Sequence, residues 1–187
     1  MEQQFWNQRY TDEQTGWNLG AASPPLAAYI EQLDDKSISI LIPGCGFGHE
    51  VRLLSELGFS SVTALDFVPE ALENLHNLPG VNCVSGDFFE HSGSYDLILE
   101  QTLFCAIHPD RRDEYVEKVH QLLKPGGKLA GVLFNRSFDG GPPFGGSKAE
   151  YLQRFGEKFS DLKIEECYNS AKPRAGTEIF ILAGKEL

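Results

Sequence analysis

The chain has 187 residues, with 27 acidic and 16 basic side chains, so its formal charge is −11 when histidine is neutral. Hydrophobic residues make up 41% of it, which supplies one globular core and excludes wholesale disorder. No run approaches the roughly 18 consecutive apolar residues of a membrane span, and the acidic balance disfavours nucleic acid and anionic membranes as partners.

The first residues and the cysteines indicate in which cellular compartment the protein is expected. The start has neither the basic nor the apolar region of a secretory leader, so we expect a cytoplasmic protein. The cysteines are far apart and form no CxxC pair, so we expect reduced thiols and neither a disulfide framework nor a metal site: Cys45, Cys83, Cys105 and Cys167. We also expect a monomer with all of residues 1–187 in one domain.

Short apolar runs alternate with amphipathic segments from residue 23 onward, which is typical of an α/β fold. The predicted helices cover residues 23–33, 50–57, 69–75, 111–123 and 147–159. The predicted strands cover residues 38–42, 62–65, 81–84, 95–99, 128–134, 162–168 and 177–183. Five strands of the βα type, closed by an antiparallel hairpin, differ from the six parallel strands of a dinucleotide dehydrogenase.

Residues 135–147 form a long irregular segment rich in glycine and proline. It is too long for a simple connection, so we expect an active-site loop. Ser147 and Glu150 have the spacing of a capping box and predict that the next helix begins directly after this loop.

Three glycines at alternate positions, Gly44, Gly46 and Gly48, follow the first predicted strand. Glycine lets the backbone turn tightly and approach a ligand without a Cβ in the way. In the dinucleotide fingerprint G-x-G-x-x-G the third glycine lies three residues after the second, whereas here it lies two residues after it. The spacing therefore disfavours a pyrophosphate ligand.

Two carboxylates follow the next two predicted strands. Asp66 is placed to accept hydrogen bonds from ribose hydroxyls, and Asp87 with Phe88 is placed to bind an adenine ring. Each feature alone has an ordinary interpretation, because glycines make plain turns and a strand-end aspartate often caps a helix. Their order and spacing together predict a nucleoside-type cofactor, which can be NAD or S-adenosylmethionine.

Four motifs between Phe5 and Ala183 resemble the thiopurine S-methyltransferase family of class I S-adenosylmethionine-dependent methyltransferases, including its plant halide and thiol methyltransferase branch. They are Phe5-Trp6 with Arg9-Tyr10 and Trp17; Pro43-Gly44-Cys45-Gly46; Phe104-Cys105-Ala106-Ile107-His108-Pro109 with Arg112 and Tyr115; and Gly141-Pro142-Pro143-Phe144. The resemblance implies a Rossmann-like α/β sandwich with a mostly parallel seven-stranded sheet whose last strand is antiparallel.

The resemblance also implies that residues 1–24 fold over the active site as a lid. Together with the glycine turn, it gives an expected set of residues that bind S-adenosylmethionine: Trp6, Tyr10, Trp17, Gly44, Gly46, Asp66, Asp87, Phe88 and Gln101. Glu100-Gln101 departs from the family, whose members often have an aspartate and another side chain there. The alternative for the amino-terminal aromatic residues is that they anchor a surface helix that packs on the core.

For the acceptor site, the resemblance implies that Arg112 faces the active site, where it is expected to stabilise an anionic acceptor or its developing thiolate. We expect Phe104 and Phe144 to form apolar walls that admit a soft acceptor. The alternatives are a solvated helix residue for Arg112 and core packing for Phe104. Cys105 is not expected to act as a nucleophile, because no histidine is spaced to activate it. His49 and His108 are open as proton acceptors.

The predicted function is transfer of a methyl group from S-adenosylmethionine to a small soft nucleophile, namely the sulfur of a thiol or thiopurine, or a halide or thiocyanate-like anion. A thiol with a pKa of about 8.5 is partly ionised at neutral pH, so a strong general base is not required. The alternatives are a dehydrogenase, a methyltransferase acting on nucleic acid or another small molecule, and a cofactor-binding scaffold without turnover.

Overall fold

Strands and helices alternate in the computed structural model, which describes residues 3–187. The strands are β1 Ile40–Pro43, β2 Val62–Asp66, β3 Val81–Ser85, β4 Tyr95–Gln101, β5 Leu123–Phe134, β6 Asp161–Glu166 and β7 Glu178–Gly184. The helices are α1 Gln3–Thr11, α2 Pro24–Glu31, α3 His49–Glu56, α4 Pro69–Leu72, α5 Leu103–Ala106, α6 Arg112–Leu122 and α7 Lys148–Gly156. Met1 and Glu2, which begin the predicted lid segment, lie outside the described residues.

All seven strands form one sheet in the order β3-β2-β1-β4-β5-β7-β6. Strands β1 to β5 pair in parallel, and β7 runs antiparallel to both β5 and β6. Every residue of β1 is buried, as expected for a central strand with both faces covered. The predicted Rossmann-like fold with an antiparallel last strand is confirmed.

The strand order reverses between β1 and β4. From β1 the chain moves outward through β2 to β3, whereas from β4 it moves the other way to β5. The connections after β1 and β4 therefore diverge and leave a crevice at the carboxyl ends of these strands, where open α/β sheets bind their ligands.

Two apolar clusters form the core, and in residues 3–187 neither contains a residue before Leu26. One is built around the residues of α6 and α7, and the other around those of α2 and α3. No helix among the described residues has the length and apolar character needed to cross a bilayer.

Some elements differ from the predictions. Helix α1 is not among the predicted elements and corresponds to the alternative of a surface helix, because its polar sequence gives no apolar stripe and none of its residues from Gln3 to Thr11 is buried. Strand β5 begins at Leu123, so residues 124–127, which separate the predicted helix 111–123 from the predicted strand 128–134, lie within the strand, opposite a register shift between Tyr95 and Leu97. The capping box is confirmed on its Ser147 side, whose hydroxyl accepts the Glu150 N–H at 3.2 Å.

Candidate active site

A cavity of about 620 Å³ lies at the carboxyl ends of the parallel strands. Its wall combines α1 and the segment after it, the turn after β1, the ends of β2 and β3, helix α5, the loop after β5, and the turn before β7. A cavity of this size holds a ligand as large as a nucleoside derivative.

The glycine turn after β1 faces this cavity. Gly44 and Gly46 have φ of +60° and +54°, in the left-handed region that disfavours side chains. A Cβ on Gly44 would lie 3.0 Å from Leu103, and one on Gly46 would lie 3.6 Å from Trp17 Nε1. The left-handed backbone and, at Gly44, the close approach of Leu103 therefore require glycine, and the wall presents backbone without side chains at both positions.

Asp66 is fixed beside this turn at the end of β2. One carboxylate oxygen accepts the Gly46 N–H at 3.0 Å and the other accepts the Val68 N–H at 2.9 Å. Burial raises the pKa of Asp66, and these backbone N–H groups act in the opposite direction. The carboxylate is held in one orientation at the cavity wall, where its remaining lone pairs can accept hydroxyl groups.

Asp87 and Phe88 line the adjacent wall, after β3. Asp87 is exposed and accepts the Phe89 N–H at 2.8 Å, which orients its carboxylate. The Phe88 ring is 5% exposed and packs 5.1 Å from the Tyr115 ring. Both residues are therefore oriented at the part of the cavity where the sequence predicts an adenine ring.

The amino-terminal aromatic residues also line the cavity. The Trp17 ring lies 5.2 Å from Trp6 and 5.5 Å from Tyr10, and Tyr10 lies 5.4 Å from Phe47 of the glycine turn. At the start of α1, the Gln3 side-chain amide donates to the carbonyl of Phe67, the residue after β2. The structure thus brings together all three aromatic residues that the sequence predicts, over the glycine turn.

Two further contacts hold the segment that carries Trp17. The Arg174 guanidinium donates to the Trp17 carbonyl at 3.1 Å. His49 Nε2 and Asn18 Oδ1 are 2.8 Å apart, so His49 is engaged with this segment. His108, the other histidine left open by the sequence, lines the cavity with its ring 5.3 Å from Phe144.

Gln101 does not line the main cavity; it lines a smaller adjoining pocket of about 40 Å³. Its Oε1 atom is buried and has no hydrogen-bond partner in residues 3–187. Thr102, the next residue, lies in the cavity wall with φ of 65°, an uncommon conformation for a residue other than glycine. A buried acceptor without a donor, beside a strained residue, is typical of a ligand site.

Arg112 does not line the cavity, contrary to the expectation from the resemblance. It is 1% exposed, forms an ion pair with Glu150 at 2.9 Å, and donates to the Gly145 carbonyl at 2.9 Å. Arg111 lines the cavity instead, because adjacent residues at the start of a helix point in different directions. Arg112 therefore anchors the loop over residues 135–147 rather than facing an acceptor.

Phe104 also lies outside the cavity wall, since it has no exposed surface and its ring packs 5.1 Å from Tyr115 in the core. Phe144 lies behind the wall that Pro142 and Pro143 form, against the His108 ring. Cys105 is fully buried, and burial raises the pKa of its thiol to about 12, which agrees with the expectation that it is not a nucleophile.

Four of the seven arginines line the cavity, and no lysine in residues 3–187 does so. Each of the four guanidinium carbons lies over a phenylalanine ring at 3.7 to 5.2 Å: Arg9 over Phe5, Arg111 over Phe89, Arg136 over Phe138, and Arg174 over Phe134. The carboxylates in the wall are Asp66 and Asp87, after β2 and β3. Both of these carboxylates lie at β2 and β3, and Arg111 lies near Asp87 there. Arg136 and Arg174 lie after β5 and before β7, over Phe138 and Phe134, and no carboxylate of residues 3–187 lines the wall there. We call the first part the acidic half and the second the half with arginine and aromatic residues.

The described residues contain no group of three or more histidine, cysteine, aspartate or glutamate side chains that could hold a metal ion. The site is thus built from backbone, carboxylate, aromatic and guanidinium groups.

The family model described as thiopurine S-methyltransferase (TPMT) matches residues 1–181. The chain belongs to the thiopurine S-methyltransferase family. It is 33% identical over 187 residues to a probable thiol methyltransferase 2 of Arabidopsis thaliana, covering 92% of this chain and 81% of the relative. It is 32% identical to thiocyanate methyltransferase 1 of Brassica oleracea, covering 95% of this chain and 83% of that relative.

A solved structure supports the fold. The Burkholderia thailandensis 1,6-didemethyltoxoflavin-N1-methyltransferase, determined with bound 1,6-didemethyltoxoflavin and S-adenosylhomocysteine, has a TM-score of 0.76 and 22% identity. The similarity covers 98% of this chain and 87% of that one. The chain is therefore an S-adenosylmethionine-dependent methyltransferase with the fold of that class.

The residues present fit the cofactor of this methyltransferase family. The wall at Gly44 and Gly46 carries no side chain, Asp66 is placed for hydroxyl groups, and Gln101 Oε1 lacks a donor. That these particular residues bind the cofactor stays a prediction.

Sequence reasoning missed several residues of the cavity wall: Arg9, Thr102, Arg111, Arg136 and Arg174. Arg9 and Arg136 could have been identified from the sequence, since each lies in a segment that the sequence predicts to cover the site. Arg174 could not, because it lies in a polar turn that only the sheet order brings to β5.

Proposed function

We propose that this methyltransferase transfers a methyl group to the sulfur of a small acceptor that reacts as a thiolate or a comparable soft anion. The observation that carries the proposal is the division of the cavity into an acidic half and a half with arginine and aromatic residues. No carboxylate of residues 3–187 lines the second half, and the imidazole in the cavity wall is that of His108. This half therefore favours an acceptor that is ionised already or ionises easily.

The names of the relatives support a sulfur acceptor. One relative is named a thiol methyltransferase and another a thiocyanate methyltransferase, and both names describe a sulfur compound. Thiolate and thiocyanate are polarizable anions that need no base to react, which agrees with the groups found in the cavity.

The protein's own residues would act mainly by positioning. Bound S-adenosylmethionine supplies an electrophilic methyl group on a sulfonium. Asp66 and Asp87 would hold the nucleoside part, and the backbone at Gly44 and Gly46 would lie against the rest. Holding the reactants in a near-attack arrangement can contribute roughly 7–11 kcal/mol.

We further propose that residues 1–24 and 135–147 close the cavity from opposite sides. Trp6, Tyr10 and Trp17 line it from one segment, and Pro142 and Pro143 line it from the other. Excluding water strengthens the electrostatic interactions inside the site. Aromatic rings near a sulfonium also provide cation–π attraction.

A methyl-transfer screen with labelled S-adenosylmethionine tests the proposed function. The panel contains thiophenol, aniline and phenol as acceptors of similar shape, with hydrosulfide, thiocyanate and iodide as small anions. We expect transfer to sulfur to be at least about 100-fold faster than transfer to nitrogen or oxygen, with a rate that rises with pH toward the acceptor's own pKa. Equal rates for amine and thiol would overturn the proposal, and cofactor binding without turnover of any acceptor would indicate a scaffold.

A further inference from the structure

The four arginines of the cavity wall differ in how their charges are compensated. Arg111 pairs with Glu114 at 2.8 Å, and the buried Arg174 pairs with Glu178 at 3.3 Å. Arg9 and Arg136 form no ion pair with any carboxylate of residues 3–187. The wall therefore presents two uncompensated cations, although the chain as a whole is strongly acidic.

These two cations lie on different parts of the wall. Arg9 belongs to α1 and lies over Phe5 at 4.8 Å. Arg136 follows β5 and so belongs to the half with arginine and aromatic residues, away from Asp66 and Asp87. Arg136 is the uncompensated cation of the half in which we place the acceptor.

The backbone around Arg136 is fixed on both sides. The Arg136 carbonyl accepts the Gly146 N–H at 3.0 Å, and the Asn135 N–H donates to the Thr177 carbonyl at 2.8 Å. A Cβ on Gly145 would lie 2.2 Å from the Arg136 carbonyl oxygen, so glycine is required for this close approach. The loop therefore sets the point from which the Arg136 side chain extends.

The guanidinium itself is oriented by aromatic rings. Its central carbon lies 4.6 Å from the centre of the Phe138 ring, which in turn packs edge-to-face on Phe134 at 5.1 Å. This cation–π contact helps to position the guanidinium, whose N–H groups form no hydrogen bond within residues 3–187. These donors match the oxygen atoms of a carboxylate or another planar anion. The side chain is exposed on the cavity wall, so an acceptor can reach it.

We propose that Arg136 is a specificity-determining residue that binds the negatively charged group of the acceptor. This inference rests on the proposed function. It adds that the site selects acceptors by their charge and that Arg136 is the residue that does so. The charge has two possible sources, the ionised nucleophile itself or a carboxylate elsewhere on the acceptor. Arg112, which is buried, and Arg174, which is neutralised by Glu178, do not perform this role.

Direct binding to the complex with S-adenosylhomocysteine tests this inference without turnover. Calorimetry compares thiocyanate, 4-(methylthio)benzoate and its neutral partner 4-(methylthio)benzamide, on wild-type protein, Arg136→Gln and Arg136→Lys. The control is Arg52→Gln, which removes the same charge from α3 outside the cavity wall. Circular dichroism checks that each variant is folded.

We expect Arg136→Gln to weaken binding of at least one of the two anions by about 10-fold or more, the effect of losing a hydrogen bond to a charged group. Binding of the neutral amide should change less than about twofold, Arg136→Lys should lose less than Arg136→Gln, and Arg52→Gln should resemble wild type. The anion whose binding is weakened identifies the source of the charge. If Arg136→Gln binds both anions as tightly as wild type, or loses as much affinity for the neutral amide as for the anions, the inference is overturned. A failed methyl-transfer screen alone would contradict only the proposed function.

Discussion

Glu100 is a carboxyl group with no exposed surface at the end of β4. One oxygen accepts the Phe104 N–H at 2.9 Å, and the other accepts the Tyr115 hydroxyl. Its partner on β5 is Gly131, where a Cβ would lie 2.6 Å from the Glu100 Cβ, so the small residue makes room for the carboxyl group. Burial raises the pKa of Glu100 to about 7, although both hydrogen bonds act to lower it.

This raised pKa predicts a pH-dependent stability. Between pH 4.5 and about 7 the unfolded chain ionises Glu100 while the folded protein keeps it protonated, so the contribution of Glu100 to stability falls as pH rises. Glu100→Gln cannot ionise and should lack this contribution. The free energy of unfolding, measured in urea from pH 4 to 8, should fall more steeply with pH in wild type than in the variant up to about pH 7.

The control for this measurement is Glu165→Gln, because Glu165 is an exposed glutamate on the edge strand β6. It should retain the wild-type slope. Parallel curves for wild type and Glu100→Gln would show that Glu100 titrates alike in the folded and unfolded states.

Residue roles set by local chain geometry could be predicted from the sequence, and others could not. Gly44 follows β1, Asp66 ends β2 and Asp87 lies two residues after β3, so the parallel sheet alone brings them to one edge. Whether Arg111 or Arg112 faces the cavity depends on how the helix packs, which the sequence of that helix does not specify. The pairing of Arg174 with Trp17 joins residues 157 positions apart and has no local signal.

Helix α1 is the element with the weakest connection to the core. None of its described residues is buried, and its contacts with the rest of the chain include the Gln3 bond to Phe67 and the packing of Tyr10 on Phe47. Such a segment contributes little to global stability, since little apolar surface is removed from water. It nevertheless supplies Trp6 and Tyr10 to the cavity wall.

Removal of residues 1–22 should therefore leave a folded domain that has lost most of its methyl-transfer activity and cofactor affinity. The core clusters begin at Leu26 and do not depend on the removed segment. Circular dichroism would report the fold, and calorimetry with S-adenosylhomocysteine would report the affinity. Normal turnover by the truncated protein would exclude a role for this segment as a lid.

Two single substitutions of neighbouring aromatic residues on α1 distinguish a role in the cavity wall from a general role of the helix. Trp6→Ala removes a ring from the cavity wall, whereas Phe5→Ala removes a neighbouring ring that is 36% exposed and outside that wall. Trp6→Ala should reduce cofactor affinity more than Phe5→Ala, because the Phe5 ring is linked to the wall through its packing on Trp6 and Arg9. An equal loss in both variants would indicate that α1 as a whole is disturbed.

At the scale of the whole molecule, the cavity is lined by parts of the chain from α1 to the turn before β7, so a bound ligand should stabilise the entire fold.

The α/β class and the antiparallel ending could be predicted because hydrophobic periodicity and turn residues are local features of the sequence. The insertion of β7 between β5 and β6 could not, since both of its pairings are antiparallel and a hairpin alone does not specify which strand borders β5. That insertion is what places Glu178 and Arg174 beside Phe134.

S-adenosylhomocysteine at about 100 times its Kd should add about 2.7 kcal/mol of stability, which for a chain of this size raises Tm by roughly 5–10 °C. Asp66→Asn should lose at least about half of this shift, because a hydrogen bond to a charged group contributes about 1.5–3 kcal/mol to binding. The exposed Asp34→Asn variant serves as the charge-matched control and should keep the full shift. Scanning calorimetry measures all three proteins, and an undiminished shift in Asp66→Asn would remove this carboxylate from the cofactor site.

The chain contains two tryptophans, Trp6 and Trp17, and both stand in the cavity wall. Ultraviolet emission excited at the red edge of protein absorption therefore originates at the site alone, with no background from the sheet or the outer helices. The two indoles lie 5.2 Å apart, so a change in their packing alters both their mutual quenching and the polarity around them. The unmodified protein thus carries an optical reporter of ligand entry, fast enough for stopped-flow measurement of each arrival and departure.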